Sequence, residues 1–306
     1  MLLLRICLIV GIVAVAALTA SAFLARWTQP FEILSHFRLY YAFASAGLGA
    51  VLLVVRQPRA AALAGAALAA NAIAIGAAVG LDDSTPDAHA PVTRVIWANL
   101  QRRQESLAAI AALARTGRAD IVALTELPPG GVETVRRALP DFACFIGDAH
   151  TTSPLATLIA ARLPCAAGGA AAATSRPYAA QYADIGAYRL AAVHGRPPWS
   201  NERTDERNVV IMAGANAVST RPHGVLIGDF NAAPWSPIML DLRHVGLRRA
   251  WCSGPLTRTW RLIVFPYYAL PIDHVLSEPS VRVTSCRVGA AIGSDHFPLI
   301  FDLSPR

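Results

Sequence analysis

The sequence predicts a layered α/β domain preceded by about three transmembrane helices, and three observations lead there. Long apolar runs crowd into the first 80 of the 306 residues. From residue 92 onward, strand-like and helix-like segments alternate over about 215 residues, a pattern that suits one layered domain. Several of the strand-like runs stop on a carboxylate or an amide. Hydrophobic residues make up 54% of the chain and charged residues 15%, too apolar for an ordinary soluble enzyme.

The apolar segments are 6–25, 39–55 and 61–80. The first and third reach the ~20 residues that cross ~30 Å of hydrocarbon, and the second is near the lower limit. The alternative for the first is a cleaved signal peptide, since Arg5 precedes it and small residues end it. The alternative for the Ala-rich third is a soluble helix. The loop at 56–59, Arg-Gln-Pro-Arg, carries two arginines between the second and third segments and is expected in the cytoplasm. Arg5 agrees with a cytoplasmic N-terminus, whereas Arg26 and Arg38 weaken the assignment. Three spans then place everything after a polar linker, 81–91, in the periplasm or outside the cell. The expectation is a multi-pass protein of the inner (cytoplasmic) membrane, with residues 1–80 as anchor and 92–306 as the outer domain.

The outer domain reads as strand 92–100, helix 102–117, strand 119–127 and helix 131–139. Strands follow at 142–147, 155–161 and 185–194, then a helix at 202–219, a strand at 224–229 and a helix at 236–246. Strands at 271–278, 281–288 and 297–303 close the chain. Leu107, Ile110, Ala111 and Ala114 fall at helical spacing, with Gly117 as the stop. The aromatic-rich run 260–271 reads either as ordinary packing or as an apolar lip.

Charge narrows the function. The formal +7 is all arginine, and residues 1–80 hold five Arg against Glu32. The remainder holds 22 Arg against 19 acidic residues, so the outer domain lacks the strongly basic footprint of a dedicated DNA binder. Its four cysteines permit two disulfides or four buried thiols. The expected pairs are Cys144–Cys165 and Cys252–Cys286, each flanking short strand-like segments. No Cys/His cluster suggests zinc.

The polar strand ends are Asn99, Glu126, Asp229 with Asn231, and Asp273; Asp295 and His296 stand just before the last strand. One carboxylate at a strand end is usually a turn former. Five such positions at one sheet edge concentrate like charge unless a cation or protonated groups offset it. Oxygen ligands of this kind suit Mg²⁺, with Mn²⁺ as the alternative.

At these residues the chain resembles the endonuclease/exonuclease/phosphatase superfamily. The resemblance rests on Trp-Ala-Asn-Leu (97–100), residues 119–127, Ala-Ala-Val-His-Gly-Arg-Pro-Pro (191–198), Ile-Gly-Asp-Phe-Asn-Ala-Ala-Pro-Trp-Ser (227–236), 271–276 and Gly-Ser-Asp-His-Phe-Pro-Leu (293–299), in the family's order. The anchored layout is similar to bacterial membrane proteins of the glycopeptide-resistance type. The resemblance implies a four-layer α/β/β/α sandwich and a metal-dependent phosphoesterase. Glu126 would be the principal Mg²⁺ ligand, with Asn99 beside it contacting metal or phosphate and Asp295 ordering the metal or its waters. Asp229 would orient or deprotonate the attacking water, and Asn231 would hold a phosphate oxygen. His296, oriented by Asp273, would serve the phosphoryl group, and His194 would bind phosphate or protonate the leaving group. His274 is expected to be structural, because strand alternation turns it away from Asp273. Ala161 stands where family members often carry serine, which weakens the expectation that Arg162 binds substrate.

The expected substrate is a phosphate ester or pyrophosphate, favoured as lipid-linked because an anchored site meets bilayer substrates at high effective concentration. Nucleic acid is the less favoured partner, and an inactive membrane-bound binding module is the remaining alternative.

Overall fold

The computed structural model describes residues 2–79, 92–147, 155–171, 179–254, 256–262 and 264–306; the expected linker at 81–91 lies outside them. The chain divides into two compact units. The first comprises Met1–Leu81 with Pro198–Asn201 and Ala232–Leu240, the second Asp82–Pro197, Glu202–Asn231 and Asp241–Arg306.

Four helices form most of the first unit: α1 (Leu2–Ala22), α2 (Phe31–Ser35), α3 (Arg38–Val54) and α4 (Pro58–Val79). Ile12, Leu52 and Ala64 pack at its centre, and the buried Asn71 amide donates to Thr19 Oγ1 at 2.9 Å, tying α4 to α1. Val10, Val13, Phe43, Leu53 and Ile73 point outward. α1 and α4, with 21 and 22 residues, are long and apolar enough to cross a membrane. α3 is apolar but has 17 residues, a rise of about 25 Å, so two of the described helices meet the length of a span rather than three.

From residue 92 the elements are β1 (Thr93–Asn99), α5 (Gln104–Thr116), β2 (Ile121–Thr125), α6 (Gly131–Ala138), β3 (Cys144–Gly147), β4 (Thr157–Ala161), β5 (Cys165–Ala171), β6 (Ala180–Ile185), β7 (Tyr188–His194), α7 (Asn201–Ser219), β8 (Gly224–Asp229), α8 (Pro237–His244), β9 (Arg248–Arg249), β10 (Trp260–Leu262), β11 (Phe265–Leu270), β12 (Asp273–Ser277), β13 (Val281–Val288) and β14 (Leu299–Pro305). They build two six-stranded sheets, ordered β13-β14-β1-β2-β4-β3 and β5-β6-β7-β8-β12-β9, with β10–β11 as a separate hairpin.

The sheets face each other across one core. Val95, Trp97, Ile121 and Ile159 of the first meet Leu190, Val225, Ile227 and Val275 of the second. On the first sheet's outer face, Ile96, Val122 and Ala160 pack against Leu107, Ile110 and Ala114 of α5 and Val135 of α6. On the second sheet's outer face α7 lies so close that a Cβ added at Gly214 would come within 2.7 Å of Val193 and 2.9 Å of Leu226. Helix, sheet, sheet, helix is the four-layer order the resemblance implied.

Each sheet is antiparallel except for one parallel pair at its centre, β1–β2 and β7–β8. The carboxyl ends of a parallel pair emerge at the same edge, where open α/β sheets gather ligands. Asn99 is paired with Thr125 in the first sheet and His194 with Asp229 in the second. Antiparallel β12 adds Asp273 opposite Asp229.

The expected cysteine pairs are both present, with Cα–Cα separations of 5.4 Å for Cys144–Cys165 and 4.3 Å for Cys252–Cys286. The first joins β3 to β5, an outer strand of each sheet. The second joins the segment just after β9 to β13, the outer strands on the other side.

Candidate active site

The two central strands of the first sheet stop by turning left-handed. Gln101, Arg102 and Glu126 have φ of 49°, 55° and 50°, a region L-residues enter rarely and functional sites often retain. The turn closes with the Arg102 N–H donating to the Glu126 carbonyl at 2.8 Å. In the second sheet Asn231, φ 45°, makes the equivalent turn, and its N–H donates to Asp229 Oδ1 at 2.9 Å. The turns thus carry Glu126 and Asn231 off their sheets at the edge where Asn99 and Asp229 end.

Groups from the two sheets meet there. The Asn99 amide nitrogen donates to Glu126 Oε1 at 2.9 Å and to Asp229 Oδ2 at 3.1 Å. His194 Nε2 lies 3.5 Å from Asp229 Oδ2 and 3.7 Å from Glu126 Oε1. His296 Nε2 lies 3.5 Å from the same Asp229 oxygen, while its Nδ1 is 2.8 Å from Asp273 Oδ2. Asp229 Oδ2 therefore sits between two imidazoles. Asp295 is half-buried beside the cluster, its Oδ2 accepting the Trp260 indole N–H at 2.9 Å.

Protonation follows from burial and neighbours. Burial pushes the Asp229 carboxyl up to about 8; Asp273 and Glu126 add to the rise, which His296 and the Asn231 N–H only partly counter. Burial also works against charge on His296, but Asp273 and Asp229 outweigh it and lift the imidazolium to about 10. Asp273 is itself held below its ordinary value: burial opposes ionisation, and the charge and hydrogen bond of His296, with donors from Trp97 and Thr259, overcome it. Burial raises Glu126, partly offset by the Asn99 amide.

This crowding is what a divalent cation would relieve, and the carboxylate oxygens of Glu126 and Asp229, which share the Asn99 amide nitrogen at 2.9 and 3.1 Å, fit one. Ligand atoms of Asp229, Asp273 and His296 also lie within 4.8 Å of one another, but His296 is held as the imidazolium and has no lone pair to offer a metal. Both Asp273 oxygens are already engaged, by Trp97 and by His296, so that residue serves orientation.

Of the expected site residues, Glu126, Asn99, Asp229, Asn231, Asp273, His194, His296 and Asp295 all lie at this edge. Asn99 Oδ1 accepts the Gln101 N–H at 3.0 Å and its nitrogen donates to the two carboxylates, so it braces them. One expectation needs correction. Arg162 follows the last residue of β4, and β4 runs antiparallel to β2 with Thr157 beside Thr125. It thus lies at the opposite end of the sheet, where its Nε donates to the Ala119 carbonyl at 2.8 Å and its guanidinium covers Phe142; it binds no substrate here. His274 is buried, accepts Arg249 Nε at 3.0 Å and meets Phe230 edge-on, the structural role expected of it.

Sequence reading missed four supporting residues. Trp97 reaches across the core to donate its indole N–H to Asp273 Oδ1 at 2.9 Å. Thr259 Oγ1 accepts the Ile272 and Asp273 N–H groups, at 3.1 and 2.9 Å. Trp260 holds Asp295. Thr125 Oγ1 donates to the Ala156 carbonyl and so must accept from His194 Nδ1, 3.0 Å away, which directs Nε2 at Asp229. Each contact bridges residues 13 to 176 positions apart, and only the polar strand-end pattern near them was a signal.

Residues 96–296 match the Endonuclease/Exonuclease/phosphatase family. No curated protein sequence matches the chain. Among solved structures, it is similar to an endonuclease/exonuclease/phosphatase family protein from Bacteroides thetaiotaomicron, with 17% identity, 71% of this chain and 99% of that one covered, and a TM-score of 0.56. The 3′ phosphatase NExo from Neisseria, solved bound to product DNA hairpin, gives 16%, 68%, 98% and 0.58. Humanized D. rerio TDP2 gives 13%, 70%, 99% and 0.56. With two thirds of its length inside the family match, and with the fold and clustered polar edge in agreement, the chain belongs to the Endonuclease/Exonuclease/phosphatase family of phosphoester hydrolases.

Proposed function

We propose that this chain is a membrane-anchored, Mg²⁺-dependent phosphoesterase that hydrolyses a phosphate ester or pyrophosphate outside the cytoplasm, with a lipid-linked substrate favoured. In this reading residues 1–80 are the anchor, 81–91 the linker and 92–306 the catalytic domain. The observation that carries the chemistry is the convergence of Glu126, Asp229 and the Asp273–His296 pair on one edge.

Glu126 is the principal cation ligand, with Asp295 ordering the cation or its waters. When bound there, the cation supplies charge that neutralises the phosphoryl oxygens and lowers the proton affinity of the neighbouring carboxylates. Asp229, ionised, takes the proton of the attacking water. His296, kept cationic by Asp273, donates to a phosphoryl oxygen. His194, its Nδ1 held by Thr125, meets the leaving oxygen with Nε2. Asn231 Nδ2 donates one hydrogen to the Gly195 carbonyl at 2.9 Å, which leaves the second for a phosphate oxygen.

The anchor reading is supported by the two helices of spanning length and by their outward apolar side chains. The orientation is supported by the arginines of the 56–59 loop and by two disulfides, which persist in oxidising compartments. The test is purified full-length chain with Mg²⁺ and a panel: an isoprenoid pyrophosphate, phospholipids, inositol phosphates, single-stranded and double-stranded DNA. Hydrolysis of a lipid-linked phosphate, abolished by chelation and reduced at least ~100-fold in Glu126→Gln, is expected. Turnover of DNA alone would replace the lipid-linked reading with a nuclease.

A further inference from the structure

A concavity of mixed polar and apolar lining lies beside the β10 segment. It has a volume of about 650 Å³ and is lined by Ser253, Thr257, Arg258, Arg261, Ala269 and Phe297, with Gly254 and Leu256 closing it. None of its described lining side chains is acidic. Strand alternation separates it from the catalytic cluster. On β10, Trp260 turns its indole to Asp295, so its neighbour Arg261 emerges on the opposite face, level with its partner Ala269. Likewise His296 points into the cluster and Phe297 into the groove.

Arg261 carries the argument. Its guanidinium stacks 5.0 Å over the Phe297 ring, a geometry that satisfies the flat face and leaves the in-plane N–H fork unused. Its Nε is buried with no hydrogen-bond partner. A buried, unmatched guanidinium donor is costly, and its planar fork pairs bidentately with an oxyanion such as phosphate. Arg258, exposed at the rim, makes no ion pair among the described residues and adds a second positive charge. The Ser253 and Thr257 hydroxyls supply further donors. Beyond the groove, Leu262 and Val264 at the hairpin tip are 39% and 85% exposed, an apolar edge beside the charged floor.

We propose that this groove is a phosphate-binding site distinct from the hydrolytic centre, with Arg261 and Arg258 holding the oxyanion. The phosphate comes either free in solution or on a lipid whose chains lie against Leu262 and Val264.

The test is binding, not turnover, so it stands apart from any result of the substrate panel. Full-length chain in detergent micelles with EDTA is titrated by calorimetry with inorganic phosphate, dioctanoyl phosphatidylglycerol and phosphate-free dioctanoylglycerol. Saturable binding of phosphate or of the phosphatidylglycerol is expected. It should weaken at least ~10-fold in Arg261→Ala and in the exposed-site variant Arg258→Ala, and persist in Glu126→Gln. Tighter binding of the phosphatidylglycerol, weakened by Val264→Ser, identifies a lipid source; equal binding of both, indifferent to Val264→Ser, identifies free phosphate. Binding unchanged by either arginine variant, binding lost in Glu126→Gln, dioctanoylglycerol binding as tightly as the phosphatidylglycerol, or no saturable binding would overturn the proposal.

Discussion

Asp273 shows how much of the candidate site is set by hydrogen bonds buried behind it. Its two oxygens are divided between an indole and an imidazole, and the indole can only donate. Trp97→Phe keeps most of the core volume and deletes that donor. Hydrogen bonds to charged groups contribute about 1.5–3 kcal/mol, so Asp273 should then bind a proton more readily. The expected outcome is a drop in kcat of roughly 10-fold or more with the acid limb of the pH–rate profile moved to higher pH. A profile that falls uniformly at every pH would show Trp97 to be mere packing. Thr125→Val asks a parallel question of His194, because the isosteric side chain removes the acceptor for Nδ1. We expect kcat to fall about 10-fold and the melting temperature to drop by a few degrees, since His194 Nδ1 and the Ala156 carbonyl both lose a partner, read by kinetics and calorimetry side by side. Residues of this kind were not legible beforehand: Trp97 and Asp273 are 176 positions apart, and nothing local to either announces the other. The gathering of Glu126, Asp229 and His296 at one edge was legible, because a single polar strand end is commonly a turn former whereas five such positions together concentrate like charge.

Among the elements, the central strands matched their patterns and the edge strands did not. β2 and β8 are buried on both faces and read as near-continuous apolar runs. β5, Cys-Ala-Ala-Gly-Gly-Ala-Ala, has neither alternation nor β-branched residues, and it sits exposed at a sheet edge where pairing with β6 alone defines it. The β10–β11 hairpin was foreseen only as an aromatic run. Within the second sheet, Gly228 of β8 has no room for a side chain, since a Cβ would come 2.2 Å from the Val193 carbonyl oxygen of β7. Gly228→Ala should therefore destabilise the sheet by about 3 kcal/mol or more, measured by denaturant unfolding. The β6–β7 hairpin offers a pH test. Arg189 grips Asp184 through both guanidinium nitrogens, at 2.5 and 2.6 Å, and that hydrogen-bonded pairing depresses the carboxyl below its ordinary value. A depressed carboxyl contributes stability above its unfolded pKa of about 3.9 and loses it as pH falls through the folded value. Asp184→Asn should cost about 1 kcal/mol at pH 7, and the gap to wild type should close below about pH 4 in urea titrations.

For the molecule as a whole, the candidate site is assembled by contacts that cross from one sheet to the other: Trp97 to Asp273, Asn99 to Asp229, Thr125 to His194. Among the described residues no strand pairing joins the sheets, and apolar faces resist sliding far less than they resist separation. The cystines occupy the two flanks of the sandwich, one at β3 and β5, the other at β13 and the segment after β9. They act as lateral clasps against shear. Each closes a loop of a few tens of residues, for about 3 kcal/mol of chain entropy. Gentle reduction of the folded protein should consequently cut turnover while far-ultraviolet circular dichroism still reports intact secondary structure, and reoxidation should restore it. An enzyme built this way would lose its chemistry to misalignment before it lost its architecture, which ties its working life to the redox state of its surroundings.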